Sequence, residues 1–255
     1  MALSPTQMER YSRQLLLKEI GGAGQTRLLQ ARVVVVGAGG LGSPAACYLA
    51  AAGVGQLILA DDDRVELSNL QRQILHTTDR IGQAKTDSAA QALQALNPDV
   101  QVIPFTQRVT QETVDGLVQQ GDLLLDGSDN FATRYLLNAA CFRAGKPLVS
   151  AAVLGFEGQL SVFRHGVDNT APCYQCLYPH PPAPEATPTC RSAGVLGAVT
   201  GILGAWQAAE AIKALLGVGD SLAGSLLLVN VLHGQIQRIR ITKNPDCPLC
   251  GAGSG

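Results

Sequence analysis

Three glycines near the start of the chain have the spacing of a phosphate-binding turn. Gly37, Gly39 and Gly42 fit the pattern G-x-G-x-x-G within the stretch VVVVGAGGLGSP, Val33–Pro44. Glycine at these positions permits a tight turn, a close approach of the backbone to phosphate, and close packing of a helix on a strand. A helix that begins there points its unpaired N–H groups and the positive end of its dipole at an anion. The motif therefore predicts a nucleotide site, and the alternative is a tight turn that binds nothing.

An acidic run follows at the spacing expected of a residue that holds ribose. Asp61 stands nineteen positions after Gly42, at the end of the next predicted strand, where an acid accepts hydrogen bonds from ribose hydroxyls. The neighbouring Asp62 and Asp63 fit the spacing as well. Taken alone, these features suit an NAD cofactor.

The next polar residues favour a triphosphate over a redox cofactor. Asn69, Arg72, Gln73 and Lys85 lie downstream of the acid, and two of them are cations. Arginine binds phosphate oxygens in a bidentate manner, and lysine acts as a point charge. The alternative is that Arg72 and Lys85 are solvated surface charges, which is the usual state of a single arginine or lysine.

A second acidic run, DGSDN at Asp126–Asn130, follows the fourth predicted strand. Ligands of open α/β sheets bind at the carboxyl ends of the strands, and a carboxylate that faces phosphates there is a natural ligand for Mg²⁺. The competing interpretation is an aspartate that caps the following helix, which is a common use of this residue type.

Four of the seven cysteines form two Cys-x-x-Cys pairs, Cys173 with Cys176 and Cys247 with Cys250. Four thiolates at this spacing make a closed tetrahedral zinc site. The 70 residues that separate the pairs, 177–246, exceed the usual gap of a zinc finger, so the site would join distant segments. The alternatives are a thioredoxin-like redox pair or ordinary thiols. Two matching pairs favour zinc, because a redox site needs only one.

Helix and strand patterns predict the elements that would position these residues. A continuous apolar strand at Arg32–Val36, a helix over residues 41–52 and a strand at Gln56–Asp61 make a βαβ unit. Helices and strands then alternate up to a strand at Pro147–Val153. Such alternation indicates an open, mostly parallel α/β sheet.

After Gly155 the strands change from continuous apolar runs to an alternating pattern, which indicates antiparallel pairing. These stretches lie at residues 158–164, 225–231 and 235–242, with a proline-rich loop at 177–190 and a helix over 194–216 between them. We therefore expect a Rossmann-like open mixed sheet whose parallel N-terminal part is continued by antiparallel strands.

Composition excludes several classes of protein. Hydrophobic residues make up 46% of the chain and charged residues 15%, which is typical of a globular protein rather than a disordered one. A net charge of -1 gives no support for a nucleic-acid or membrane-surface partner. The N-terminus lacks the pattern of a secretory signal. The longest weakly polar run, Ala193–Ala205, is interrupted by four glycines and is short for a membrane span. We expect a cytoplasmic protein.

Six motifs, taken together and in order, resemble one known family. They are RYSRQ at Arg10–Gln14, GAGGLG, SNLQRQ at Ser68–Gln73, GQAKTD, DGSDN and the paired cysteines. The ensemble is similar to the MoeB/ThiF/HesA family of ubiquitin-activating-type (E1-like) adenylyltransferases, over nearly the whole chain. The resemblance implies that the C-terminal glycine carboxylate of a ubiquitin-like sulfur-carrier protein, ending in Gly-Gly, attacks the α-phosphate of ATP. The products would be an acyl adenylate and pyrophosphate, in molybdopterin or thiamine biosynthesis.

The resemblance also implies roles for individual residues. Gly40 would lie in the phosphate turn, Asp61 would hold the ribose, Asn69, Arg72, Gln73 and Lys85 would contact the nucleotide, and Asp129 would hold Mg²⁺ beside Asn130. Arg13 would reach into the site of a neighbouring subunit, so a homodimer is implied; the sequence alone favours a plain amphipathic helix there.

The resemblance places Cys190 where some members link covalently to the carrier. A thiol at a helix N-terminus has a lowered pKa and is a better nucleophile, and a packed, inert cysteine is the alternative. Because the chain ends soon after Cys250, we expect sulfur to come from a separate donor protein.

These features divide a single domain, residues 1–255, into three parts: an N-terminal helical arm (1–30), a nucleotide-binding half (31–154) and a carrier-binding and zinc half (155–250). Three rival functions remain at this point. They are ATP-dependent activation of an RNA or a small molecule, an NAD-dependent oxidoreductase, and a non-catalytic interaction module. The oxidoreductase leaves Arg72, Lys85 and Asp129 without a role.

Overall fold

The computed structural model describes residues 2–164, 166–168, 170–182 and 193–251. In this part of the chain, eight strands form one sheet in the order β3-β2-β1-β4-β5-β6-β7-β8. The strands are β1 (Arg32–Val36), β2 (Gln56–Ala60), β3 (Gln101–Phe105), β4 (Leu123–Asp126), β5 (Leu148–Leu154), β6 (Glu157–Phe163), β7 (Ser225–Asn230) and β8 (Gln235–Arg240). Strands β1 to β5 are parallel, and β6, β7 and β8 continue the sheet in antiparallel pairs. The predicted change from parallel to antiparallel pairing is confirmed.

Nine helices are described, in addition to short 3-10 turns at Leu67–Asn69 and Thr78–Arg80. They are α1 (Pro5–Arg10), α2 (Ser12–Leu15), α3 (Gly21–Gln30), α4 (Gly42–Ala51), α5 (Lys85–Leu96), α6 (Val114–Gln119), α7 (Phe131–Ala144), α8 (Tyr174–Leu177) and α9 (Gly197–Leu216). None of the helices in the described residues is long and apolar enough to cross a membrane.

Two hydrophobic layers lie on opposite faces of the central strands. In β1, Val33 and Val35 pack into one layer, and Val34 and Val36 pack into the other, as the two-residue period of a strand requires. The first layer holds buried residues of α3, α4, α5 and α9, and the second holds those of α6 and α7. The central strands are therefore covered on both faces, which explains their continuous apolar sequences.

The antiparallel end of the sheet is far less covered. All six residues of β8 are exposed, including Ile236 at 61%. Helix α9 packs on β5 and β6, so the last strand extends beyond the helical layer. This end of the sheet offers an open surface beside the carboxyl ends of the parallel strands.

Candidate nucleotide-binding site

A cleft of about 1350 Å³ opens at the carboxyl ends of the parallel strands. It lies where the strand order reverses between β1 and β4, which is where open α/β sheets bind their ligands. Predicted residues that line it are Gly37, Gly39, Gly40, Asp61, Arg72, Gln73, Lys85, Asp129 and Asn130. The fold thus brings most of the predicted nucleotide residues together from four separate loops.

The glycine turn is packed too tightly for side chains at two of its positions. Gly37 has φ +90, and a Cβ there would lie 2.8 Å from the carbonyl oxygen of Gly127. A Cβ on Gly42 would overlap the carbonyl oxygen of Gly37, so Gly42 serves the packing of α4 and is not part of the cleft wall. Gly39 faces the cleft near Gln73. The glycines at positions 37 and 42 are therefore needed for the tight turn and the close helix packing that the motif predicts.

Asp61 is the acid of the run Asp61–Asp63 that faces inwards. Its Oδ2 accepts a hydrogen bond of 2.8 Å from the backbone N–H of Ala38, and its Oδ1 accepts one of 2.9 Å from the N–H of Asp63. Burial raises the pKa of Asp61, although Lys85 and these N–H groups act in the opposite direction. Each oxygen keeps a further lone pair, which is what two ribose hydroxyls require.

Lys85 is a buried cation and not a solvated surface charge. It is the first residue of α5 and only 5% exposed. Its Nζ lies 2.8 Å from Oδ2 of Asp63 and 3.9 Å from Oδ1 of Asp61. Buried lysines are rare unless paired, so the surface-charge alternative is wrong for Lys85.

The residues of the SNLQRQ motif separate into two groups. Arg72 is partly exposed on the cleft wall, with Nη1 donating to the carbonyl of Ser68 at 3.1 Å. Gln73 lines the cleft, is 4% exposed, and its Oε1 has no hydrogen-bond partner among the described residues. Asn69 is buried away from the cleft wall, and its Oδ1 accepts from the N–H of Glu66 at 3.1 Å. The structure therefore brings Arg72 and Gln73 to the cleft but gives Asn69 a local role in the turn.

The carboxylate of Asp129 is exposed on the cleft wall. Helix α7 is capped by Asn130, whose Oδ1 accepts from the N–H of Thr133 at 2.9 Å. The residue that caps α7 is therefore Asn130 and not Asp129. Asp129 remains available to a ligand.

Two buried charges under this loop were not predicted from the sequence. Asp126, fully buried at the end of β4, accepts from Ser128 Oγ at 2.6 Å and from Ser150 Oγ at 2.7 Å. Arg134 is 8% exposed and donates from Nη2 to the carbonyl of Ser128 at 3.0 Å. Its guanidinium also lies over the Phe131 ring at 5.2 Å. The sequence did contain a signal for this contact. Arg134 lies one turn into the helix that follows the acidic loop, and one turn of helix brings a side chain back towards that loop.

The two cysteine pairs meet in space. Among the four sulfurs, Sγ–Sγ distances are 3.6 Å for Cys173 and Cys247, 3.9 Å for Cys173 and Cys176, and 3.4 Å for Cys176 and Cys250. All four lie within 4.8 Å of one another. A tetrahedron with Zn–S bonds of about 2.3 Å has edges of about 3.8 Å, so the spacing suits four zinc ligands.

Burial makes bare thiolates unfavourable in this cluster. Burial and the neighbouring Cys176 raise the pKa of Cys173 to about 12, and burial also raises the pKa of Cys250. Burial acts to raise the pKa of Cys247 too, but the N–H groups of Cys250 and Leu249 lower it overall. A bound cation inverts this balance and holds thiolates in place. The donor set therefore fits a soft, tetrahedral metal ion.

One predicted residue lies away from the cleft, and another is not described. Arg13 is exposed on α2 and is not part of the cleft wall of its own chain. Cys190 lies outside the described residues. The arm that carries Arg13 is anchored by Tyr11, whose hydroxyl accepts from Nδ2 of Asn97 at 2.9 Å.

Comparison with known proteins agrees with the geometry. Over residues 11–249 the chain matches the ThiF family. It is 47% identical over 253 residues to the sulfur carrier protein adenylyltransferase of Thermus thermophilus, a match that covers 98% of this chain and 93% of that protein. It is 51% identical over 251 residues to the adenylyltransferase and sulfurtransferase MOCS3 of Sus scrofa, covering 98% of this chain but 54% of that protein. The chain thus spans about half the length of MOCS3.

A solved structure shares the fold. The crystal structure of E. coli MccB with MccA-N7isoASN superposes with a TM-score of 0.84, at 23% identity, over 95% of this chain and 74% of that one. The family resemblance that the motifs suggested is confirmed, and the chain belongs to the ThiF family.

Proposed function

We propose that this protein is an ATP-dependent adenylyltransferase that activates the C-terminal glycine carboxylate of a ubiquitin-like sulfur-carrier protein of the molybdopterin or thiamine type. One observation carries the proposal: the glycine turn, the buried cation Lys85 and the exposed carboxylate of Asp129 meet on a single cleft. Near full-length similarity to the Thermus thermophilus enzyme supports the same activity.

The residues of the cleft suit cleavage of ATP at its α-phosphate. Asp61 would hold the ribose, and the glycine turn would let the backbone approach the phosphates. Lys85 and Arg72 would neutralise phosphate charge, with Lys85 exchanging its contact with Asp63 for phosphate oxygens. The orphaned Oε1 of Gln73 fits a hydrogen-bond donor of the bound nucleotide. The cations would then be in place as negative charge develops on the leaving group.

In the reaction, a carboxylate oxygen of the terminal glycine forms a bond to the α-phosphorus. The bond from that phosphorus to the bridging oxygen of pyrophosphate breaks, and pyrophosphate leaves with the electron pair. Neither step needs a covalent enzyme intermediate, so the chain contributes positioning and charge neutralisation. Asp129, beside Asn130, would hold Mg²⁺, which neutralises phosphate charge when it is bound.

The antiparallel half offers a path for the tail of the carrier. Side chains in two rows across β6, β7 and β8 line the cleft, and most of them are polar. One row holds Glu157, Asn230 and Gln235, and the other holds Gln159, Leu228 and Gln237. A Gly-Gly tail has no side chains and presents only backbone amides, which such polar rows can hydrogen-bond. These rows support residues 155–250 as the carrier-binding half.

The four clustered cysteines would hold a structural Zn²⁺, as their sulfur spacing supports. That ion would tie the segment around α8 to the C-terminal end of the described chain. It would have no open position for substrate, since structural zinc sites use four protein ligands.

Several further features belong to the same proposal. The exposure of Arg13 on α2 suits a role in the cleft of a second subunit, so we propose a homodimer. The four clustered cysteines are not joined by disulfide bonds, which suits a reducing compartment, the cytoplasm.

The test is ATP–pyrophosphate exchange. Radiolabelled pyrophosphate should enter ATP only when a carrier that ends in Gly-Gly is added, and a carrier without the two glycines should give none. The variant Asp129→Ala should abolish exchange, whereas Asp87→Ala, which removes an exposed acid outside the cleft, should leave it unchanged. Lack of exchange with every Gly-Gly carrier would defeat the proposed function.

A further inference from the structure

His76 is buried behind the phosphate turn, where neither the sequence motifs nor the proposed chemistry assigns it a role. It is 5% exposed. Its Nε2 lies 3.0 Å from the carbonyl oxygen of Ala38, and its Nδ1 lies 2.9 Å from Oγ of Ser88. On the basis of the ATP-binding function proposed above, we propose that His76 is a positioning residue that holds the phosphate turn and the lysine-bearing helix α5 in register.

The hydrogen-bond partners determine the tautomer of His76. A carbonyl oxygen only accepts, so Nε2 carries the proton and donates to Ala38. The lone pair on Nδ1 then accepts from the hydroxyl of Ser88. Burial lowers the pKa of His76, and the nearby cations Lys85 and Arg80 lower it further, while the bond to Ala38 acts in the opposite direction. The neutral imidazole thus satisfies both partners.

The peptide group of Ala38 is held from both sides. Its N–H donates to Asp61 at 2.8 Å, and its carbonyl accepts from His76. Ala38 itself is 2% exposed and stands between the first two glycines of the turn. Among the described residues, this carbonyl also accepts a hydrogen bond from Oγ of Ser43, which is long at 3.4 Å. Without His76 the carbonyl would lose its short bond at a buried position.

The second partner of His76 connects the turn to α5. Ser88 lies one helical turn after Lys85, and its own carbonyl accepts from Arg80 at 2.9 Å. His76 also ends the segment that carries Arg72 and Gln73. One imidazole therefore joins three segments of the nucleotide site: the phosphate turn, the cation-bearing turn and the start of α5.

A test must separate positioning from simple core packing. His76→Phe keeps an aromatic ring and removes both hydrogen bonds. His76→Gln keeps an amide N–H that reaches the place of Nε2. Calorimetry gives the Kd for Mg-ATP of each variant, steady-state adenylation gives separate KM values for ATP and for the carrier, and a thermal melt reports folding.

We expect His76→Phe to raise the Kd and KM for ATP roughly tenfold, because a buried carbonyl loses its donor, with the carrier KM within about twofold of wild type. His76→Gln should recover most of that loss. Ser88→Ala should weaken ATP binding less, and its effect should not add to that of His76→Phe, because both act through one hydrogen-bonded chain.

Other outcomes would overturn the inference. Unchanged ATP affinity in His76→Phe would do so, as would a glutamine variant no better than phenylalanine. If His76→Phe does not fold, Ser88→Ala still decides: an ATP affinity equal to that of wild type would contradict the positioning role, because this variant removes the bond between His76 and α5. A wild-type protein that binds no ATP would instead show that the proposed function itself is wrong.

Discussion

Replacement of Gly37 by alanine is the sharpest test of how the phosphate turn is built. Two independent features oppose a side chain there: a φ of +90, and a Cβ that would lie 2.8 Å from the carbonyl oxygen and 3.0 Å from the carbonyl carbon of Gly127. Gly82 separates the two effects. It has a nearly equal φ of +89, and a Cβ there would meet nothing within 4 Å.

The expected cost follows from these two features. A positive φ costs alanine about 1–2 kcal/mol, and the loss of unfolded-state entropy returns about 0.4–1 kcal/mol. Gly82→Ala should therefore lower the free energy of unfolding by roughly 1 kcal/mol. Gly37→Ala adds an overpacking cost of about 1–3 kcal/mol, since both facing atoms are backbone. Its total should be about 2–4 kcal/mol.

Thermal melts at a fixed protein concentration, together with ATP calorimetry, check the comparison. At about 2–4 °C per kcal/mol for a chain of this size, Gly37→Ala should melt clearly below Gly82→Ala. It should also bind ATP at least tenfold more weakly, because the turn must move away from Gly127. Equal melting temperatures and equal ATP affinities for the two variants would refute the packing argument.

Three further expectations concern the rest of the molecule. Arg13→Ala and Asp129→Ala should each be inactive. Refolding a mixture of the two variants should restore roughly a quarter of the wild-type sites, because half of the dimers would then hold one complete cleft. No recovery in the exchange assay would count against a shared site. Zinc should be lost to a chelator more readily at pH 5 than at pH 8, since binding requires deprotonated thiols, and Cys250→Ser should lower the metal-to-protein ratio measured by atomic absorption. Arg134→Met should lower the free energy of unfolding in urea by about 3 kcal/mol, because the fully buried Asp126 loses its nearby cation. A decrease of less than half that size would show that the serine hydroxyls are enough to stabilise the buried Asp126 carboxylate.

Most of the parallel half of the fold could be predicted from the sequence. The predicted strand at Arg32–Val36 matches β1, and the strand predicted to end at Asp61 ends one residue earlier, at Ala60. Strands buried on both faces are continuous aliphatic runs, and such runs are easy to find. The local sequence pattern was enough to predict these strands, because each strand is specified by its own residues.

Helix starts were less accurate for identifiable reasons. The sequence pattern predicts a helix over Arg134–Ala144, but α7 begins three residues earlier, at Phe131, because Asn130 provides the cap. Helix α9 begins at Gly197 rather than at residue 194. Gly194 has φ +75, and Val195 pairs with Gly155 in an isolated bridge. That bridge joins residues far apart in sequence, so no local pattern could show it.

The site divides in the same way. Motif spacing by itself determined the phosphate turn, the order of acids and cations along the chain, and the two cysteine pairs. Only the tertiary structure decided that Asp61 and not Asp62 faces inwards, that Asn69 bonds within its own turn and does not line the cleft, and that His76 closes the turn from behind. The sulfurs meet across 70 intervening residues for the same reason. Spacing sets which residues can share a loop, whereas the direction of a side chain depends on segments that pack against it from elsewhere in the chain.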